Sequence, residues 1–443
     1  MFTHDQEKII LQQPANTVVF AAPGSGKTTV LTHHILHLLE SGNLHPRDIM
    51  AMTFTKQSAQ DMRERLSQTG RLSHKSAQVL RIGTFHAQLF RILLQQSPNI
   101  PVLLSATEQY KLMSEAVESH SIRRSRVTKE EVQHYLNLLT RRCSIYPPLP
   151  LKGRKRRIID TYQRLKNNTG RWDFDDILVT FCDFMFSSRF TPESLKSVQY
   201  LLIDEFQDTN SIQWLIVEEW ANRLGIPVFV VGDDDQSIYG FRGASPRWLL
   251  DFSSRLPNVR QYILKQNFRS TRDIVCNATQ LIENNRLRAS KDMIASREEH
   301  GEIRAFAVKN EACEAKAVAD KVRHLHELHP EWSFAVLART RRQLYGVWQL
   351  ISDFEHVTVQ LRTFHDAKGK EWDAVFIVGL VDDNPYLLAR PETPEELEEE
   401  RRLYYVALTR AKNLSYTFCP GHVLQKKSLP SPFVCEAGLN LEY

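Results

Sequence analysis

The octapeptide Ala21-Ala22-Pro23-Gly24-Ser25-Gly26-Lys27-Thr28 constrains this chain more than any other segment. It follows the apolar run Val18-Val19-Phe20 and opens a stretch of helical periodicity, so a buried strand must turn through a loop of small residues into a helix. Comparable short runs recur at Ile49-Met50-Ala51-Met52, Leu201-Leu202-Ile203 and Val228-Phe229-Val230-Val231. Continuous apolarity implies burial on both faces, and strands separated by helical segments imply parallel sheets of the α/β class. A second set follows at Tyr262-Ile263-Leu264, Ala335-Val336-Leu337, Val375-Phe376-Ile377-Val378 and Tyr416-Thr417-Phe418. The expectation is an α/β chain with two parallel-sheet domains.

From about Ala87 to Ser197 the strand signals vanish and helical periodicity takes over, which reads as a helical insertion in the first domain. The insertion is basic: Ser121 to Arg171 holds 14 Lys or Arg against three acids, densest at Lys152-Gly153-Arg154-Lys155-Arg156-Arg157. Such a run suits a polyanionic partner, and a solvated helix face is the competing reading. Glu392 to Glu400 is the opposite extreme, with six glutamates in nine residues. With 42% hydrophobic and 25% charged residues, the 443-residue chain is neither disordered nor fibrous. No apolar run reaches the ~18–20 residues of a membrane span. Met1-Phe2-Thr3-His4-Asp5-Gln6 lacks the pattern of a signal peptide, and the six cysteines form no CxxC pair. These features predict a soluble cytoplasmic protein with no membrane partner and no zinc or iron–sulfur site.

The octapeptide matches the P-loop except that Ala21 replaces the first glycine. In such a loop, backbone N–H groups wrap phosphates, Lys27 reaches the β/γ-phosphates and the Thr28 hydroxyl ligates Mg²⁺. Ala22, Pro23, Gly24, Ser25, Gly26 and Thr29 complete the nucleotide-binding set. The loop alone does not separate a kinase, a GTPase and a motor ATPase. Asp204-Glu205-Phe206-Gln207-Asp208, directly after Leu201-Leu202-Ile203, separates them further. Asp204 at the end of a buried strand suits the metal, and Glu205 can polarise an attacking water, which a small-molecule kinase would not need.

Together these residues resemble superfamily 1 helicases of the UvrD/Rep/PcrA type, over nearly the whole chain and with the motifs in the family's order. Thr3-His4-Asp5-Gln6 resembles the Q motif, which assigns Gln6 to adenine. Thr53-Phe54-Thr55 and Gly83-Thr84-Phe85-His86 resemble two single-strand contact segments, and Asp173-Phe174-Asp175-Asp176-Ile177-Leu178 resembles the DFDDL stretch. Gly232-Asp233-Asp234-Asp235-Gln236-Ser237-Ile238-Tyr239-Gly240-Phe241-Arg242-Gly243 resembles motif III, Asn267-Phe268-Arg269-Ser270 motif IV, Thr363 to Glu371 motif V, and Glu399 to Ala411 motif VI.

The resemblance implies two RecA-like P-loop domains. The first comprises residues 1–86 and 198–262, the basic 1B-type insertion 87–197, and the second domain 263–443. It implies ATP and Mg²⁺ as cofactors, single-stranded DNA and single/double-strand junctions as partners, and 3′-to-5′ helicase or translocase activity driven by cleft closure. Catalysis falls to Lys27, Glu205, Gln236 as γ-phosphate sensor, and Arg269 and Arg410 as arginine fingers; Phe268 stacks on adenine and Glu371 contacts ribose. Thr28 and Asp204 hold Mg²⁺. DNA contacts fall to Phe54, Thr84, Phe85, His86, Tyr239, Phe241, Arg242, Arg339, Thr363 and His365, with a core role for Phe85 and Tyr239 left open.

Phe241 and Phe268 stand where the family usually has tryptophan and tyrosine, and Lys370 where it has leucine. Only 93 residues separate Arg269 from Thr363, so the 2B subdomain is expected to be absent or minimal near 341–356. Two other readings are a motor subunit of a nuclease or phage-defence complex, with a nuclease or repair partner, and a nucleotide-gated binding module without unwinding activity.

Overall fold

The computed structural model describes residues 2–42, 44–70, 72, 79–96, 101–121, 127–190, 195, 198–352, 354, 357–387 and 390–443. The chain divides into two compact units. Met1–Phe20, Lys27–Gly232 and Tyr239–Tyr262 form the first; Ala21–Gly26, Asp233–Ile238 and Ile263–Tyr443 form the second.

The first sheet contains β1 (Thr17–Ala21), β2 (Ile49–Thr53), β3 (Arg81–Thr84), β4 (Tyr200–Ile203), β5 (Val228–Gly232) and β6 (Arg260–Leu264), in the order β3-β2-β4-β5-β1-β6. The pairs β1/β5, β2/β3, β2/β4 and β4/β5 are parallel. Every residue of β1, β2, β4 and β5 is buried, which is why these strands read as unbroken apolar runs. Parallel strands need crossovers, and the helices Lys27–Glu40, Lys56–Gln68 and Ser211–Leu224 supply them. The last starts in a capping box of Asn210 and Gln213 and stops at left-handed Gly225.

Between β3 and β4 lie the helices Phe85–Gln96, Ala106–Glu118, Lys129–Cys143, Gly153–Asn168 and Phe174–Met185. Met113, Val117, Val132, Leu139, Ile158 and Tyr162 give three of them a core of their own. The basic character is partly neutralised inside the insertion. Arg154 pairs with Glu131 at 3.0 Å and Arg171 with Glu108 at 2.7 Å. Lys166 is buried, 2.8 Å from Asp173 and 2.6 Å from Asp176. Asp173 and Asp176 also form the capping box of the helix Phe174–Met185, so this acidic stretch organises the insertion from within. Arg123, Arg124 and Arg126 of the basic run lie outside the described residues. Gly243 has φ +84°, and a Cβ on it would overlap the Ser144 side chain, so glycine lets this turn close on the end of the helix Lys129–Cys143.

The second sheet contains β9 (Glu302–Val308), β10 (Phe334–Ala338), β11 (Val359–Thr363), β12 (Trp372–Val378), β13 (Ala411–Pro420) and β16 (Leu441–Glu442), in the order β11-β10-β12-β13-β9-β16. All its pairs are parallel. β7 (Gln266–Thr271) and β8 (Ile294–Arg297) form a separate parallel pair, and β14 (His422–Val423) and β15 (Lys426–Lys427) an antiparallel hairpin. The run Tyr262-Ile263-Leu264, expected in the second sheet, instead belongs to β6 at the edge of the first. Its partly exposed pattern is that of an edge strand, and chain order alone does not say which sheet an edge joins.

Between β10 and β11 the described residues form a 3₁₀ turn, Arg341–Leu344, and one short helix, Tyr345–Ile351. Among the described residues no helix is long and apolar enough to cross a membrane.

Candidate active site and nucleic-acid interface

In the first unit, β4 delivers two carboxylates to its C-terminal end. Asp204 is buried, accepts a hydrogen bond from Thr28 Oγ1 at 3.1 Å through Oδ2, and accepts Glu205 N–H at 2.9 Å through Oδ1. Glu205 adopts left-handed backbone angles, φ 53° and ψ 42°, which a non-glycine residue keeps only where its surroundings hold it there. Gln207 Nε2 donates to Glu205 Oε2 at 2.5 Å. A Cβ at Gly232 would meet Gln207 Oε1 at 2.5 Å, so the glycine ending β5 makes room for this clamp.

Burial, reinforced by the Glu205 charge, pushes the Asp204 carboxyl up to about 6, against the opposing pull of Lys27 and Thr28. A hard divalent cation held by Asp204 and Thr28 would relieve that burial cost, and the all-oxygen donor set fits Mg²⁺. Thr29, one residue on, accepts a long hydrogen bond from Arg65 at 3.5 Å. Gln6 is buried, and its Oε1 accepts Thr3 N–H at 3.0 Å in a capping box that fixes its side chain.

The second unit holds the loop Ala21–Gly26. Gly24 and Gly26 have φ of 67° and 81°, the left-handed angles that suit glycine. A Cβ on Gly24 would stand 2.8 Å from Arg269 Cβ and 3.1 Å from Asn267 Oδ1. Gly24 O accepts Phe268 N–H, and Ala22 N–H donates to Leu264 O, each at 3.0 Å. Pro23 and Ser25 are largely enclosed, whereas the Phe268 ring is 45% exposed beside the loop.

Arg269 Nε donates to Glu371 Oε2 at 2.6 Å, and its Nη1 to Thr409 O at 3.1 Å. Burial acts to raise the Glu371 pKa, but Arg269 and Lys412 outweigh it and hold the carboxyl below its usual range. Arg410 is buried, with Nε on Val406 O, Nη1 on Lys370 O and Nη2 on Gln236 Oε1 at 2.9, 3.2 and 3.1 Å. Gln236 is held from its other end by Asp233 Oδ2 at 2.5 Å, and its carbonyl accepts Lys368 Nζ at 2.7 Å.

The candidate DNA residues fall into distinct groups. Phe54 and Tyr239 stack at 5.2 Å with a 28° interplanar angle, and Phe241 lies 6.0 Å from Tyr239. The Arg242 guanidinium covers both Tyr239 and Phe241, at 5.6 and 5.3 Å. Four residues from two distant segments thus form one half-exposed cationic–aromatic surface. Phe85, in contrast, is buried at the start of its helix and belongs to the core. Thr84 Oγ1 caps that helix through Ala87 N–H. The His86 ring meets Phe174 edge-on at 5.8 Å, and burial lowers its pKa to about 4, so it is neutral at pH 7. In the second unit, Thr363 caps the short helix Phe364–Ala367 that carries His365. Arg339 is committed to Glu400, at 3.0 and 2.8 Å.

Residues 2–257 match the family model for the UvrD/REP helicase N-terminal domain. Residues 262–355 and 350–418 match that for the UvrD-like helicase C-terminal domain. This chain belongs to the UvrD/REP helicase family. Among curated relatives, the ATP-dependent DNA helicase PcrA of Staphylococcus epidermidis is 29% identical over 395 residues, covering 82% of this chain and 51% of the relative. PcrA of Leuconostoc citreum is 32% identical over 343 residues, covering 74% and 45%, and Escherichia coli DNA helicase II 31% over 333 residues, covering 72% and 45%. The chain therefore spans about half the length of the curated relatives it matches.

In this UvrD/REP-family chain, one charged cluster beside Gln236 has no local signal in the sequence. Lys291 is buried with its ammonium 2.6 Å from Asp233, 2.5 Å from Asp234 and 3.1 Å from Asp235. The three carboxylates are spaced as metal ligands would be, but the lysine already supplies the cation. Burial works against the Lys291 charge, yet the three aspartates outweigh it and raise its pKa. Arg288 adds a bidentate pair to Asp235 at 3.1 and 3.0 Å. Nothing near Arg288 and Lys291 marks them in the sequence, because their partners lie 53 to 58 residues upstream.

Lys291→Met removes one partner of a buried ionic network and is expected to cost about 3–5 kcal/mol of stability. The effect should appear as a lower urea midpoint at unchanged m-value. A wild-type midpoint would show that the aspartates are neutralised by other means.

Proposed function

We propose that this chain is an ATP-dependent DNA helicase or translocase that moves 3′ to 5′ on single-stranded DNA. Two sets of residues support the reading: Lys27, Thr28, Asp204 and Glu205 in one unit, and Gln236, Arg269 and Arg410 in the other. The observation that carries it is the 3.1 Å hydrogen bond from Arg410 to Gln236. It links the residue read as an arginine finger to the one read as a γ-phosphate sensor within the second unit, which supports a coupling of hydrolysis to motion of that unit.

In this reading the loop Ala21–Gly26 wraps the phosphates, Lys27 binds the β/γ oxygens, and Glu205 takes the proton of the attacking water. Mg²⁺ at Thr28 and Asp204 supplies charge neutralisation on the phosphates. Arg269 and Arg410 stabilise charge developing on the γ-phosphate, while Gln6 and Phe268 contact adenine and Glu371 the ribose. Motion of one unit against the other then advances DNA across Phe54, Tyr239, Phe241 and Arg242, whose rings take bases without sequence readout.

The short connection Arg339 to Val359 and the two-piece match of the C-terminal family model support absence of a 2B-type insertion. Strand displacement from duplexes with 3′ or 5′ single-stranded tails tests the reading. Displacement from the 3′ tail alone is expected, and displacement only from the 5′ tail would refute the direction.

A further inference from the structure

The helix Tyr345–Ile351 carries two large rings that the fold leaves outside. Tyr345 is 59% exposed and Trp348 51%. They stack on each other at 5.8 Å with a 29° interplanar angle, one helical turn apart. Isolated exposed aromatics are common, but a preformed stacked pair, its rings inclined at 29°, presents a continuous aromatic surface to solvent.

The rings border an open cavity of about 350 Å³, whose lining includes Arg341, Arg362, Thr363 and Asp366. This is the lower end of the range typical for small-ligand pockets. Arg341 is exposed and meets Asp366 at 3.4 Å, a long contact for an ion pair in solvent. β10 and β11 are parallel neighbours in register Ala338↔Thr363, so Thr363 stands beside Ala338 at their C-terminal ends, with Arg339 the next residue after β10. In open parallel sheets that edge is where ligands bind.

We infer that Tyr345 and Trp348 form a base-stacking platform for single-stranded nucleic acid, with Arg341 and Arg362 taking the backbone phosphates. The inference rests on the proposed function, because it extends the DNA path expected at Thr363 and His365 onto a helix with no assigned role. Charge decides the occupant. The cavity presents two arginines against one aspartate, and flat rings beside guanidinium groups suit bases and phosphates together. Stacking accepts any base, so the platform adds grip without sequence preference.

Fluorescence anisotropy with a labelled oligothymidylate, using the full chain without nucleotide, tests the inference. The double variant Tyr345→Ala/Trp348→Ala is expected to bind roughly tenfold or more weakly. Tyr345→Phe/Trp348→Phe keeps the rings and should bind within about twofold of wild type. An abasic oligonucleotide of equal length separates stacking from general charge: wild type should discriminate against it, and the alanine variant should lose most of that discrimination. The slope of affinity against salt should stay the same in both, since no phosphate contact is removed. An unchanged thermal midpoint shows that the exposed substitutions leave the fold intact.

If wild type binds oligothymidylate and the alanine variant binds equally well, the platform is wrong while the proposed function stands, and a protein partner becomes the occupant to seek. If wild type binds no single strand at all, both fall together.

Discussion

Arg410→Ala is expected to lower kcat for ATP hydrolysis by about 10³–10⁵, the usual worth of an arginine finger. The size follows from the surroundings of this guanidinium. It is buried, and its fork is divided among Val406 O, Lys370 O, Thr409 Oγ1 and Gln236 Oε1, so it is held in one orientation against the Gln236 amide. Arg410→Lys keeps a positive charge but not a planar fork with donors on two faces, and should recover only a small part of the loss. Steady-state hydrolysis at saturating oligonucleotide measures the effect, with a fall in kcat much larger than the rise in KM for ATP. A kcat within tenfold of wild type would remove Arg410 from the reaction.

Glu205→Gln should lower kcat by about 10²–10⁴, the range for loss of a positioned general base, while leaving nucleotide and DNA affinity within a few-fold. The substitution keeps the shape of the side chain and the left-handed backbone at this position. It also removes one of two adjacent negative charges, so the burial-raised pKa of Asp204 should fall. That makes the variant informative: Mg·ATP affinity kept within a few-fold together with slower turnover separates a base from a metal ligand. Retained hydrolysis would contradict the role assigned to Glu205.

Much of this architecture is legible because the chemistry is local. β1, β2, β4 and β5 are buried along their whole length and announce themselves as apolar runs. The phosphate loop and the Asp204-Glu205 pair each occupy a few consecutive residues at strand ends. What sequence reading misses is long-range pairing. Tyr262-Ile263-Leu264 carries no mark saying which of two sheets it will edge.

Arg339 reads as a free cation until Glu400, 61 residues away, is seen to hold it. Lys166 sits inside the basic run yet is buried between two aspartates, so counting charges overstates the positive surface of the insertion. Lys291 is one lysine among many until the fold places three aspartates on its ammonium. The same limit works in the other direction for Tyr345 and Trp348. Their spacing resembles a core stripe, and only the packed helix shows that both rings face solvent.

In the proposed function, nucleotide chemistry in this chain answers to single-stranded DNA. Hydrolysis of Mg·ATP by the purified chain, measured with and without a single-stranded oligonucleotide and with Lys27→Ala as control, tests it most directly. Little turnover alone, strong stimulation by the oligonucleotide and none in the Lys27 variant are expected. Turnover that is equally fast with and without DNA would contradict it.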